Sequence, residues 1–212
     1  MYTLDTRRDT LYIVEYMETY NLAKITKAVY DSELKLFTTT SLRNITEINK
    51  ESSLFNLISR LIKNNIFIKI ERGKYQLAKA VVHEFEIANF LYDASYISFE
   101  SALNFYGILS QFPYEITSAT SKKTIDKKFQ NKVFAYTHIK KELFWGIEKK
   151  NNFLIASPEK TLLDQLYLTS KGIKAINLDE YDLSKINKTK LKQDLKKFPQ
   201  TTNFKKLLES VL

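Results

Sequence analysis

TTSLRNITEINKESSLFNLISRLIKNNIFIKIERGKYQLA, residues Thr39 to Ala78, changes its hydrophobic period once, and that change decides how the N-terminal half folds. From about Lys50 to Asn64 the pattern advances by the roughly 100° per residue of an α-helix. Ser52, Ser53, Asn56, Ser59, Arg60 and Lys63 fall within an arc of about 120°. Leu54, Phe55, Leu57, Ile58, Leu61 and Ile62 fill the other side. The polar arc has no acidic residue, and Glu51 lies just off its edge. A solvated helix face usually mixes both signs of charge, so the missing acid is informative. Asn56 and Arg60 carry donors that reach base edges, and Ser52 and Ser53 are small enough for close approach.

After Asn64-Asn65 the period drops to two. Ile66, Ile68 and Ile70 alternate with Phe67, Lys69 and Glu71. Arg72-Gly73 makes a turn, and Lys74-Tyr75-Gln76-Leu77 returns, with Gly73 supplying positive φ. Lys69, Arg72 and Lys74 gather near the tip. Upstream, the hydroxyls of Thr38 to Ser41 can cap a short helix before Leu42. Short helix, longer helix, hairpin is the order of a winged helix-turn-helix. In such a module Asn pairs with adenine and Arg with guanine, each worth roughly 1–3 kcal/mol of discrimination. Lys63, Lys69, Arg72 and Lys74 would serve phosphates, adding affinity without sequence choice. One small module touches few base pairs, so a second copy on a symmetric site is expected.

The rest of the N-terminal half is scaffold. Leu11, Ile13, Val14 and Met17 give helical spacing over Arg7 to Tyr20. A further helix is expected over Leu22 to Tyr30, with Ile25, Ala28 and Val29 inward.

Composition narrows the functional classes. Lys and Arg exceed Asp and Glu by 33 to 24, a formal charge of +9. That balance favours a polyanionic partner. No apolar run approaches the roughly 20 residues of a membrane span, and MYTLDTRRDT has no signal-peptide core. A cysteine-free chain excludes disulfides, zinc ribbons and thiol nucleophiles and points to the cytoplasm. No phosphate-cradling glycine loop is present, and His83 and His138 are the only histidines. No metal, no cofactor and no catalysis are expected. Glu159, Lys160 and Asp164 are the one set that could mimic a nuclease site.

The expected fold is α+β: a winged helix-turn-helix over residues 1–79 and a mixed α/β domain over 80–212. In the second part Ala80 to Tyr92 reads as a helix. Ser98 caps a helix that Gly107 stops. Strands are expected over Tyr114 to Thr120, Lys132 to Ile139, Leu143 to Glu148 and Asn152 to Ala156. Ser157-Pro158-Glu159 opens a helix through Leu168. Short helices fill Leu178 to Leu212. Lysines gather between Lys122 and Lys150 and again between Lys185 and Lys197. They read as a solvated face, or as a second surface for a polyanion or an acidic protein.

Two segments carry a resemblance over nearly the whole chain. YISFESALNFYGILSQFP, from Tyr96, resembles the Y-[IV]-S-x-x-S-A-L-x-x-x-G-L segment of AbiEi-type antitoxins, and IASPEKTLLDQLYL, from Ile155, resembles their A-x-P-E-K-A-[LI]-x-D block. LIKNNIFIKIERGKYQLA is similar to the family's R-G-x-Y hairpin, with Asn64-Asn65 where the family often has a glycine. The family is the regulator half of bacterial abortive-infection (type IV) toxin–antitoxin pairs. The resemblance implies an autorepressor that binds inverted repeats of double-stranded DNA in its own promoter. It also implies a functional partner, a nucleotidyltransferase-like toxin, that it counteracts. DNA contact then falls to Ser52, Ser53, Asn56, Arg60, Arg72 and Lys74, and the two C-terminal blocks are architectural. The alternative is a stand-alone winged-helix regulator.

Overall fold

The computed structural model describes residues 22–211. The expected helix over Arg7 to Tyr20 lies outside them. The fold is mixed α+β, and the described residues divide into two compact units, one ending at Val82 and one beginning at His83.

In the first unit residues 22–31 are helical (α1). Strand β1 (Leu36–Thr38) leads directly into helix α2 (Thr39–Thr46). The junction is fixed by a capping box: Thr38 Oγ1 accepts from the Ser41 N–H (3.0 Å), and Ser41 Oγ accepts from the Thr38 N–H (2.9 Å). Glu47 ends α2 in the left-handed region, at φ 56°. Helix α3 (Glu51–Lys63) follows, and the chain reverses through Asn65, at φ 55°. Asparagine tolerates that region better than most residues, so it does here what glycine would do. Strands β2 (Phe67–Glu71) and β3 (Lys74–Leu77) form the hairpin, and β1 pairs on the far side of β3 in an antiparallel sheet of order β1-β3-β2.

One core closes this unit. Leu54, Leu57, Ile58 and Leu61 of α3 meet Val29, Phe37, Leu42, Phe67, Tyr75 and Leu77. The Phe67 ring lies 5.0 Å from Phe37 and 6.1 Å from Tyr75. Truncating a buried leucine in such a core costs about 2–5 kcal/mol. That burial fixes the rotation of α3 about its axis and hence which side chains it presents outward.

The second unit is built on a six-stranded mixed sheet. Helix α4 (Glu84–Leu91) precedes β4 (Ser95–Ile97) and α5 (Phe99–Phe105). Then come β5 (Ile116–Thr120), β6 (Ile125–Phe129), β7 (Lys132–His138), β8 (Ile147–Lys150) and β9 (Phe153–Ala156). Helices α6 (Pro158–Ser170), α7 (Lys188–Leu195) and α8 (Thr202–Glu209) complete it. The sheet order is β6-β7-β5-β4-β9-β8, with β4 parallel to β9 and β5 parallel to β7. Helix α6 is buried along most of its length, from Glu159 to Leu168.

The structure differs from the sequence reading in several places. The helix expected from Ala80 starts at Glu84, where His83 Nδ1 accepts from the Phe85 N–H (3.1 Å). The strand expected from Leu143 begins at Ile147, because Lys141–Leu143 forms a 3-10 turn. Ser98 precedes α5 without capping it by its side chain, because its hydroxyl is used elsewhere. Strands β1, β4 and β6 were not expected.

Candidate nucleic-acid interface

The buried stripe of α3 leaves Ser52, Ser53, Asn56, Ser59 and Lys63 exposed, with Arg60 half-buried at one flank. The polar arc inferred from helical period is therefore the solvent face. Phe55 is a correction: placed with the core by its hydrophobicity, it is 41% exposed. It extends the outward surface with an apolar group of the kind that contacts a thymine methyl. Ser53, Asn56 and Arg60 line an open groove of about 850 Å³, whose other described walls include Leu22, Lys24, Ile25 and Ala28 of α1 and Ile45 to Ile48. Glu47 places one carboxylate on that flank.

The hairpin tip is Arg72-Gly73, and it is short. Gly73 takes φ 77°, and its carbonyl accepts from the Thr39 N–H at 3.0 Å. The tip is thereby tied to the start of α2, where Thr40 is exposed. Arg72 and Lys69 are exposed. Lys74 is half-buried, and its ammonium lies 2.7 Å from the Glu71 carboxylate. The sequence showed Glu71 without showing that it would claim Lys74. Sheet register explains it: Glu71 and Lys74 face each other across the two-residue turn.

The nuclease-like trio of the second unit does not assemble as an open site. Lys160 and Asp164 are fully buried and paired, Nζ to Oδ1. Asp164 Oδ2 accepts from the hydroxyls of Tyr96 (3.0 Å) and Ser98 (2.9 Å), and Lys160 Nζ donates to Tyr96 Oη (2.9 Å). The ammonium also lies 5.2 Å from the Trp145 ring and 5.3 Å from Phe198. Burial pushes the Lys160 ammonium down from the usual lysine range and the Asp164 carboxyl up from the usual carboxylate range. Glu159 faces elsewhere, accepting from the Asn187 N–H (3.1 Å) and pairing with Lys190 (2.9 Å). These residues stitch α6 to β4 and α7. A substrate cannot reach Lys160 or Asp164 without unpacking the core.

The lysine runs of the second unit are only partly a solvated face. Lys127 donates to the Leu91 carbonyl (3.0 Å) and stands, with Lys122, over the Tyr92 ring. Lys150 covers the Tyr106 ring at 4.6 Å. Lys197 pairs with Asp194 (2.8 Å) and covers Trp145 at 4.2 Å. Their stems and charges hold loops and helix ends in place. Among the described residues no group of His, Cys, Asp and Glu could hold a metal ion, and no helix is long and apolar enough to cross a membrane.

No family model matches the chain, and no curated protein matches it. Among solved structures it is similar to the RV2827C protein from Mycobacterium tuberculosis, with a TM-score of 0.60 at 10% identity, over 91% of this chain and 77% of that one. A likeness at that identity shows a shared fold, and the fold the two chains share is a mixed α+β one.

Proposed function

We propose that the first unit is a winged helix-turn-helix that reads double-stranded DNA with α3, and that the protein is the autorepressor and antitoxin of a type IV toxin–antitoxin pair. The single observation that carries the DNA reading is the outward face of α3. Ser52, Ser53, Asn56, Ser59 and Lys63 are exposed together, without a carboxylate among them. Polyanion contact is disfavoured by acidic groups, and a face cleared of them suits a groove lined by phosphates. The element order supports the same reading, since a helix, a strand, two helices and a hairpin closing a three-stranded sheet is the winged arrangement. Arg72, Lys69 and the exposed start of α2 supply phosphate contacts beside the reading helix. Lys74 is a weaker phosphate ligand than its charge suggests, because Glu71 already holds it.

The antitoxin half of the proposal rests on the resemblance of the Tyr96 and Ile155 segments to the AbiEi-type family. The buried Ser98–Asp164–Lys160 network explains in physical terms why those two segments would go together. Two copies on an inverted repeat in the protein's own promoter are the expected arrangement. The test has two arms. The protein should retard a fragment of its own promoter at a salt concentration where a scrambled fragment runs free. Co-expression should rescue growth from the product of the neighbouring gene, expected to be nucleotidyltransferase-like. Retardation without rescue leaves a stand-alone regulator, and failure of both removes the proposal.

A further inference from the structure

Helix α3 buries Leu54, Leu57, Ile58 and Leu61, and Ile62 packs against the same core. Phe55 is the exception among its large apolar side chains, at 41% exposed. Phe37, Phe67 and Tyr75 cluster in the core of this unit, but no described ring touches Phe55.

Lone apolar groups are common on protein surfaces, so the neighbours of Phe55 decide what it can do. At about 100° per residue, Phe55 and Arg60 fall on opposite flanks of the outward face, with Ser52, Ser59 and Lys63 between them. The two flanks differ in chemistry. Arg60 lines the groove against α1 together with Ser53 and Asn56, and Phe55 does not. One turn before Phe55 stands Glu51, exposed, and one turn after it stands Ser59. No residue three or four places from Phe55 is cationic. A phenyl ring beside a carboxylate offers nothing to a phosphate, and the carboxylate repels one. Ser52 and Ser59 are too short to hold the ring away from a surface that α3 meets. This flank is therefore made for base edges, and for an apolar part of them. In the major groove the bases present hydrogen-bonding atoms and one apolar group, the C5-methyl of thymine.

We infer that Phe55 sets part of the sequence choice by packing on the 5-methyl group of a thymine in each half-site, while Asn56 and Arg60 hydrogen-bond to base edges. The inference rests on the reading of α3 as a recognition helix, and it adds a base identity that the polar residues do not supply. Covering one methyl group is worth about fourfold in affinity.

The test replaces thymine by uracil, which removes the methyl group and keeps every hydrogen bond. A promoter fragment made with deoxyuridine throughout, its thymine counterpart and a scrambled fragment would be titrated with the full-length protein by fluorescence anisotropy, at one salt concentration. The uracil promoter should bind about fourfold more weakly than the thymine promoter for each half-site occupied. 5-Bromouracil, whose bromine fills the place of the methyl, should restore the affinity. Phe55→Ala should bind the thymine promoter more weakly and treat the thymine and uracil promoters alike. Phe55→Leu should keep part of the preference. Each variant is compared on two fragments, so a change in its folded fraction cancels from the ratio. Selective binding of the promoter with equal affinity in its thymine and uracil forms, or a Phe55→Ala variant with the full preference of the unchanged chain, overturns the inference and leaves the DNA reading standing. Equal binding of the promoter and the scrambled fragment by the unchanged chain removes the DNA reading, and this inference with it.

Discussion

Asp164→Ala is the most severe single change the structure foresees. The carboxylate it removes is fully buried and serves three donors: Lys160 at Oδ1, and Tyr96 and Ser98 at Oδ2. Its loss strands the Lys160 ammonium inside the second unit. Removing one member of a buried pair costs about 3–5 kcal/mol, mostly from the charge left behind. Two hydroxyls also lose an acceptor, at about 1–3 kcal/mol each if nothing replaces it. The aromatic rings around Lys160 return about 0.5–2 kcal/mol, and Tyr96 still accepts from the ammonium. Even at the low end of these terms, a loss of at least about 3 kcal/mol is expected. Asp164→Leu combined with Lys160→Met removes both charges, and this double change should recover at least half of that loss. The assay is urea unfolding followed by the fluorescence of Trp145, the only tryptophan, whose ring lies 5.2 Å from the Lys160 ammonium. That probe reports the second unit even if the two units unfold separately. A cost below about 1 kcal/mol for Asp164→Ala, or a double change worse than the single one, would refute the reasoning.

Other outcomes follow from the same geometry. Glu71→Gln releases Lys74 from its 2.7 Å pair, so binding to random DNA should strengthen and the salt slope steepen by up to about one unit; an unchanged slope means Lys74 does not face phosphate. Gly73→Ala should destabilise the first unit by about 1–2 kcal/mol, because φ 77° is costly for any residue with a Cβ, and that Cβ would stand 3.3 Å from Thr39 Oγ1; thermal unfolding reads it. Lys190 is held above the ordinary lysine value of 10.5, first by its hydrogen bond to Glu159. A raised folded value means stability that is fully present below 10.5 and fades as pH rises through the folded value. Lys190→Met should remove that alkaline decline, visible in unfolding curves taken on either side of 10.5.

Sequence carried the first unit further than the second. The α3 stripe was legible because thirteen helical residues repeat their period several times, and Gly73 announced the hairpin. Phe55 was misplaced because hydrophobicity outweighed its angular position at the edge of the stripe. Strands β1 and β4 are three residues each, too short to display alternation, and β4 is buried on both faces. Strand β6, Ile-Asp-Lys-Lys-Phe, is an edge strand whose lysines disguise it. Most of the Lys160 network was hidden. Glu159, Lys160 and Asp164 read as the one set that could mimic a nuclease site, whereas the structure buries the Lys160–Asp164 pair and turns Glu159 to Lys190. What sealed it, Tyr96 and Ser98 on one side and Trp145 and Phe198 on another, comes from three separate stretches of chain. No local pattern joins them.

The central claim is that the outward face of α3 reads bases, and Asn56→Ala tests it most directly. Asn56 is exposed and uncharged, so the change leaves the fold and the electrostatics intact. Affinity would be measured by fluorescence anisotropy for a promoter fragment and for a scrambled fragment of equal length, at one salt concentration. The account predicts a loss of about 1–3 kcal/mol on the promoter and almost none on the scrambled fragment. Equal losses on both fragments, or no loss on either, would contradict it.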